Sequence, residues 1–505
     1  MNRDYSKINN DIRNNGFFSE YLPPCFKLNK QIFTIKIPQK SDLIKPYCFS
    51  MSRFNKNDSR REIYIPEIVS YIALNNFIEK NNIIQQFIEF TESANHSFSP
   101  IVWSDNTLVR HEQCYFLEKS QLQQKKSHYI DNIIEKIVRS KGAKKVVKLD
   151  IANCFSSIYT HIIPAIFLGY EHAQEEYIKT KNKESKIDSK YILFSELDKI
   201  IRQQNLNQTN GILVGPLYSQ IIAEGLLTRI DKELDLLKIN FCRYVDDYEV
   251  FIYDNNEKKE ISKISTILRK YGFTLNAEKT EIIEFPYYII TNLNQIIEKY
   301  RGTHTTNSEN SIELFNKFFQ LEKNGVKGAI RFLLKTIEQN NISFDNHELY
   351  RAYLFSILQN DERALIKSCS LLIKDNLECP INEEEIKLIN KLLKNHIQEE
   401  HDLEVIWLLY LFIKTDSINS IASSVKEEIL NSNNELAQIM LLRNKILDSK
   451  EIELLKEKAK SWILIYELYA SNIILEIEFI NKLKLDKSLD FYKKIKEQDI
   501  HFCKL

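Results

Sequence analysis

The chain has 505 residues, too many for one hydrophobic core, and its length divides into about three units. Its 69 basic and 69 acidic residues cancel, which argues against a protein that grips long nucleic acid by charge alone, because that affinity comes from neutralised phosphates and released counterions. Eight scattered cysteines show no C-x-x-C pair and no His-rich spacing that would hold zinc, and the longest apolar run, residues 406–413, is far short of the ~20 residues that span a bilayer. MNRDYSKINN at the N-terminus has no apolar leader, so a soluble cytoplasmic protein with reduced thiols and no membrane partner is expected.

In chain order, the first element with a clear pattern is RREIYIPE (60–67), a β-prone run opened by Arg60 and Arg61. AKKVVKLDIANCF (143–155) reads as a buried strand whose apolar run ends at Asp150, followed by a turn into a helical segment. GILVGP (211–216) is a glycine-bearing loop in which Gly211 and Gly215 let the backbone approach a ligand, and Pro216 opens an amphipathic helix to about Leu237. FCRYVDDYEVFIY (241–253) is a hairpin of two β-prone runs with Asp246 and Asp247 at its tip, and LNAEKTEI follows at 275–282. Of ten prolines only Pro380 lies beyond Pro286. Without breakers, and with apolar residues every three or four positions, residues 301–505 are expected to be all-helical and to stack as an α-solenoid-like array.

The acidic pattern carries the chemistry. Two neighbouring aspartates at a tight turn repel each other unless a cation bridges them. Asp150 supplies a third carboxylate from a separate strand end. Carboxylates that converge from two strands can hold two divalent ions about 3.5–4 Å apart and so stabilise both the attacking and the leaving oxygen in phosphoryl transfer. Hard oxygen ligands select Mg²⁺, with Mn²⁺ the alternative.

The ordered set RREIYIPE, DIANCFSSIYTH, GILVGPLYSQIIAE, YVDD and LNAEKTEI resembles the successive motifs of reverse transcriptases. More narrowly, GFFSEYLPPCF (16–26), SSIYTH and GxxVGPxxSxxIAE resemble the abortive-infection (Abi) reverse transcriptases of bacterial antiphage defence, in their prophage-borne branch. The resemblance covers about the first 290 residues. It implies Asp150, Asp246 and Asp247 as catalytic metal ligands, joined by Ile151, and Lys279 as the general acid for the departing pyrophosphate. For the nucleotide it implies Arg60 or Arg61 on the triphosphate, Ile151 and Gly215 along the pocket, and Phe155 under the sugar as a gate against a 2′-hydroxyl. Ser219 and Glu224 also match, although helix packing explains them equally well, and His161 reads as structural. Leu213 and Val214 stand where many reverse transcriptases carry Pro-Gln, a departure that removes a polar contact to the nucleotide or template.

The resulting expectation is an α+β protein: an N-terminal arm and fingers over 1–149, a palm over 150–300, and over 301–505 a HEAT-like helical domain in place of a thumb. Its expected activity is Mg²⁺-dependent polymerisation of dNTPs. By resemblance the synthesis is template-independent and protein-primed, leaving single-stranded DNA attached through a tyrosine, in a homo-oligomer (trimer or hexamer) that aborts phage infection. The alternatives are a template-directed enzyme of retron or intron type and an inactive polymerase-like scaffold.

Overall fold

A computed structural model describes residues 4–52, 60–93, 96–99, 101, 103–104, 107–108, 129–301 and 305–505. Six strands position the site: β1 (Tyr47–Ser52), β2 (Arg60–Ile65), β3 (Lys145–Asp150), β4 (Phe241–Tyr244), β5 (Asp247–Ile252) and β6 (Glu281–Glu284). The last four form one antiparallel sheet in the order β4-β5-β3-β6. β3 is central, which explains why its Val146, Val147 and Leu149 are all buried instead of alternating with exposed positions. Behind the sheet lies the helix α1 (Leu217–Leu236), whose middle is apolar on nearly every side and buried. β1 and β2 pair as a separate antiparallel ribbon, with Met51 opposite Arg61 and Ser52 opposite Arg60.

Beyond residue 305 the described chain is largely helical, apart from a two-residue parallel bridge between Thr305–Thr306 and Ser343–Phe344. The helices form two layers. In the inner layer Ala329–Asn340, Leu365–Asp375, α3 (Asp402–Lys414), Glu435–Arg443 and Trp462–Ala470 pack each on the next. Outside them run α2 (Glu383–Gln398), Ser423–Asn431 and Ser449–Lys458. Inner helices carry apolar residues all round, as in WILIYELY, where every residue from Trp462 to Tyr469 is buried. No helix among the described residues is long and apolar enough to cross a membrane.

The free face of that inner layer is covered by the N-terminal arm. Phe17 packs against Trp462 and Phe502, and Phe26 bridges to Cys503. Trp407 donates its indole N–H to the Tyr21 carbonyl at 2.7 Å, and the Tyr492 hydroxyl donates to buried Glu67 at 2.6 Å. The arm, grouped with the fingers on sequence, is therefore equally part of the helical region, because its aromatics complete a core 400 residues away in the chain. The described cysteines are free thiols, and Cys114 lies outside the described residues.

Candidate active site

β3 and β5 run antiparallel with Asp150 directly opposite Asp247, a pairing that brings Cα atoms to roughly 4.5–5.5 Å. β4 ends at Tyr244, which pairs with Asp247, so the two-residue turn consists of Val245 and Asp246. The two aspartates thus divide: Asp246 sits in the turn and Asp247 is the first residue of its strand. The Ile151 N–H donates to the Asp246 carbonyl at 3.3 Å, and the Asp150 carbonyl accepts from Asn276 at 2.8 Å. These bonds tie the strand end to the turn on one side and to the LNAEKT segment on the other.

Val245 has φ +54°, a left-handed conformation that a β-branched residue adopts only under constraint. Two buried groups supply the constraint. Ser99 Oγ accepts the Val245 N–H at 2.8 Å, and Arg243 Nη1 donates to the Val245 carbonyl at 2.8 Å. Arg243 is itself fully buried, forked onto Glu224 of α1 at 2.9 and 3.0 Å and onto Asp231 at 2.7 and 2.9 Å. Tyr248 adds a hydroxyl to Asp231 at 3.3 Å. Glu224, which motif and helix packing explained equally well, is thus one of the two carboxylates in an ion cluster that fixes the turn. Neither Arg243 nor Ser99 stood out in the sequence, where Arg243 reads as an ordinary strand charge and Ser99 lies nearly 150 residues from its partner.

The carboxylates repel one another. Asp247 presents surface to the cavity, yet the surrounding walls strip its water, and with repulsion from Asp246 and Asp150 they push its carboxyl up to about 7. Burial, then the charge of Asp150, raises Asp246, while Arg61 and Lys279 pull it the other way. The Lys279 ammonium donates to Asp150 Oδ1 at 2.8 Å. No described hydrogen bond uses the Ile151 carbonyl oxygen. Three converging carboxylates, two of them with raised proton affinity for want of positive charge, form an all-oxygen donor set suited to Mg²⁺.

A cavity of about 2740 Å³ opens over this tip, lined by the β1–β2 ribbon, the four-stranded sheet and the helical region together. Phe155 stands half-buried on its wall, and its carbonyl accepts the Ile212 N–H at 3.1 Å, so it moves as one unit with the glycine loop. The two glycines that line this cavity also sit tightly against protein backbone. A Cβ on Gly215, at φ +128°, would meet the Tyr64 carbonyl at 2.8 Å, and one on Gly211 would meet the Ser156 backbone at 3.3 Å. Their close approach is to protein backbone, and Tyr64 N–H donates to the Val214 carbonyl at 2.7 Å, closing the loop onto β2.

Arg60 and Arg61 point to different work, as neighbours on a strand must. Arg60 reaches the helical region, bonding Glu404 at 2.5 Å and Glu362 at 3.5 Å. Arg61 is exposed on the cavity wall with its charge felt at Asp246. His161 contacts Asp198 at 2.7 Å, away from the carboxylates, and Ser219 is buried within α1.

A hairpin tip and a neighbouring strand end thus converge their carboxylates under a large cavity, an arrangement that can hold divalent ions for phosphoryl transfer. Residues 93–292 match the family of the reverse transcriptase (RNA-dependent DNA polymerase), and this part of the chain is a reverse-transcriptase domain. Among solved structures the chain is similar to telomerase from Candida tropicalis in complex with a TWJ fragment of telomeric RNA, at 14% identity and TM-score 0.31, covering 83% of this chain and 65% of that one. It is also similar to telomerase from Candida albicans in the corresponding complex (11%, TM-score 0.29, 85% and 65%) and to apo telomerase from Candida tropicalis (13%, TM-score 0.34, 83% and 70%). The chain thus spans about two thirds of those telomerase chains. No curated protein matches it at a significant level.

Proposed function

We propose that the protein polymerises deoxynucleotides at the Asp150/Asp246/Asp247 tip by metal-assisted phosphoryl transfer. The observation that carries this is the register that sets Asp150 opposite Asp247 across β3 and β5. These three residues and the Ile151 carbonyl would hold the Mg²⁺ ions, which when bound stabilise the attacking and leaving oxygens of an in-line displacement. Arg61, exposed on the cavity wall, receives the triphosphate, whereas Arg60 struts the fingers against the helical region. Phe155 and the loop after Gly211 bound the sugar and exclude a 2′-hydroxyl. Lys279 Nζ, beside Asp150, gives its proton to the departing pyrophosphate.

The helical wall of the cavity favours synthesis without a long template. Its charged lining mixes Glu322, Asp361, Glu362 and Glu399 with Lys323, Lys327 and Arg363, and Arg363 is already bonded to Glu322 and Asp361. Such a wall offers a duplex no continuous positive strip. Together with the Abi motifs this supports protein-primed synthesis for antiphage defence, with a cavity-lining tyrosine such as Tyr21, Tyr64 or Tyr244 as primer. The test incubates the protein with Mg²⁺ and labelled dNTPs, with and without RNA or DNA, beside Asp246→Asn. Label that survives denaturation on the polypeptide and vanishes in the variant is expected. Free product that needs added template would replace this reading with a templated enzyme, and no product at all would leave a scaffold.

A further inference from the structure

Some distance along the same cavity wall, the corner between α2 and α3 gathers a second set of donor atoms. His396 is in the last turn of α2, and His401 precedes α3. The corner is closed by the His401 N–H on the His396 carbonyl at 2.8 Å and by Glu400 in a left-handed conformation. This geometry turns both imidazoles to one side, with Nδ1 to Nδ1 at 3.1 Å. Glu362, from the preceding layer, places Oε1 3.2 Å from His401 Nδ1, and Glu399 places Oε2 3.4 Å from the same atom.

Hydrogen bonding alone serves this cluster poorly. Two imidazole nitrogens and two carboxylate oxygens are all lone-pair carriers, and one proton on His401 Nδ1 can point at only one of them. One cation at their centre satisfies them all. The spacing fits as well, since two ligands held about 2.0–2.1 Å from a tetrahedral ion lie roughly 3.3–3.4 Å apart, close to the 3.1 and 3.2 Å observed. The Glu362, His396 and His401 ligand atoms all fall within 4.8 Å of one another.

Among the described residues Arg60 is the cation whose charge is felt at both histidines, and it is already engaged. Its guanidinium bonds Glu404 and the other oxygen of Glu362, Oε2, leaving Oε1 to the histidines. Against this single cation stand Glu362, Glu399, Asp402 and Glu404, so the neighbourhood favours a divalent ion. The surroundings are also held in place: Ser50 Oγ donates to the Glu400 carbonyl at 2.7 Å, and Ser50 N–H donates to Asp402 at 2.8 Å.

We infer that His396, His401 and Glu362 form a binding site for a zinc-class divalent transition metal, with the fourth position taken by water or Glu399 on the cavity side. Two imidazoles and a carboxylate are ligands that Mg²⁺ does not prefer, so the site is chemically distinct from the aspartate tip. The ion ties the α2–α3 corner to the layer before it and, through Arg60 and Ser50, to the fingers strands, fixing the wall that faces the polymerase tip. The sequence signal is H-x₄-H at 396–401, which is hard to read because the two histidines belong to different helices and the third ligand is 34 residues upstream.

The test uses the full-length protein, stripped with chelator and dialysed, then titrated with Zn²⁺ against a chromophoric chelator and with Co²⁺ by visible absorption. An Asp246→Asn, Asp247→Asn background removes the competing tip. About one tightly held Zn²⁺ per chain in that background, and Co²⁺ d–d bands of four-coordinate intensity, are expected. His401→Asn in the same background should weaken Zn²⁺ by more than the ~10–100-fold that loss of an outer-shell partner costs. A circular dichroism spectrum matching the parent checks that this variant is folded. The absence of Co²⁺ bands in the otherwise unmodified protein would leave a hydrogen-bonded histidine pair only and overturn the inference, as would full Zn²⁺ affinity retained in folded His401→Asn.

Discussion

Replacing Arg243 by methionine tests how the catalytic turn is held. The substitution keeps the length and apolar stem of the side chain and removes the guanidinium that bonds Glu224, Asp231 and the Val245 carbonyl. Glu224 and Asp231 are each only 1% exposed, so two carboxylates would be left buried without their counter-charge. Breaking a buried ion pair in this way costs about 3–5 kcal/mol, or roughly two to three and a half powers of ten in the folded-to-unfolded ratio. Urea unfolding followed by far-UV circular dichroism should show that loss as a lower midpoint. The Arg243→Met, Glu224→Gln, Asp231→Asn triple variant separates charge from anchoring. Neutral partners remove most of the penalty, so more than half of the lost stability should return, but the Val245 carbonyl remains unanchored and labelled-dNTP incorporation should stay low. A single variant with an unchanged urea midpoint would refute the ion-cluster argument. A triple variant with restored incorporation would refute the claim that Arg243 acts by holding the turn.

Four further outcomes follow from the same coordinates. Asp247 has a folded value near 7 against an ordinary carboxylate value near 4; its contribution to stability is therefore present below pH 4 and lost as the pH rises through 7, so Mg²⁺ should raise the melting temperature more at pH 8 than at pH 5.5, and an equal rise at both would contradict it. Gly215→Ala forces a Cβ into the Tyr64 carbonyl and Ile63 at a positive φ, and should cost about 1–3 kcal/mol with faster amide exchange across residues 60–65. Arg61→Ala should raise the KM for dNTPs at least several-fold with stability unchanged, whereas Arg60→Ala should lower the urea midpoint and leave KM alone; the reverse pattern would exchange their roles. Phe155→Ala should admit ribonucleotides, measured as the ratio of kcat/KM for rNTP and dNTP, and an unchanged ratio would remove Phe155 as the gate.

Which features were legible in the sequence depends on how local their causes are. The strand ending at Asp150 shows because Val146, Val147 and Leu149 lead to a carboxylate within six consecutive positions, and the hairpin shows because β4 and β5 flank a two-residue turn. The helical half shows because periodicity and missing prolines are local as well. What was not legible depends on partners distant in the chain. Arg243 is one charge in an alternating strand until α1 brings Glu224 and Asp231 beside it. The division of Arg60 from Arg61 follows from strand geometry, but which of the two cavity-lining arginines is tied up in an ion pair is decided by Glu404, over 340 residues later. That Gly215 also lies against β2 was not legible, because nothing near it in sequence reveals that β2 passes within contact.

The arm makes the same point about the architecture and links it to function. Residues 16–26 carry aromatics that a local reading groups with an N-terminal arm and fingers, yet Phe17 closes on Trp462 and Phe502, and Tyr21 accepts from Trp407. Inner helices that are apolar all round cannot remain exposed on one face, so some other segment has to cover them. Because the covering segment leads directly into β1, and β1 contacts α3 through Ser50 and Asp402, the fingers and the helical wall are joined on two sides of the cavity. A conventional thumb on a flexible hinge can swing with a growing duplex, whereas this wall is anchored at the arm, at Arg60 and at Ser50. Space for product is then set by the cavity as it stands, which is the physical ground for expecting a single strand to leave the tip.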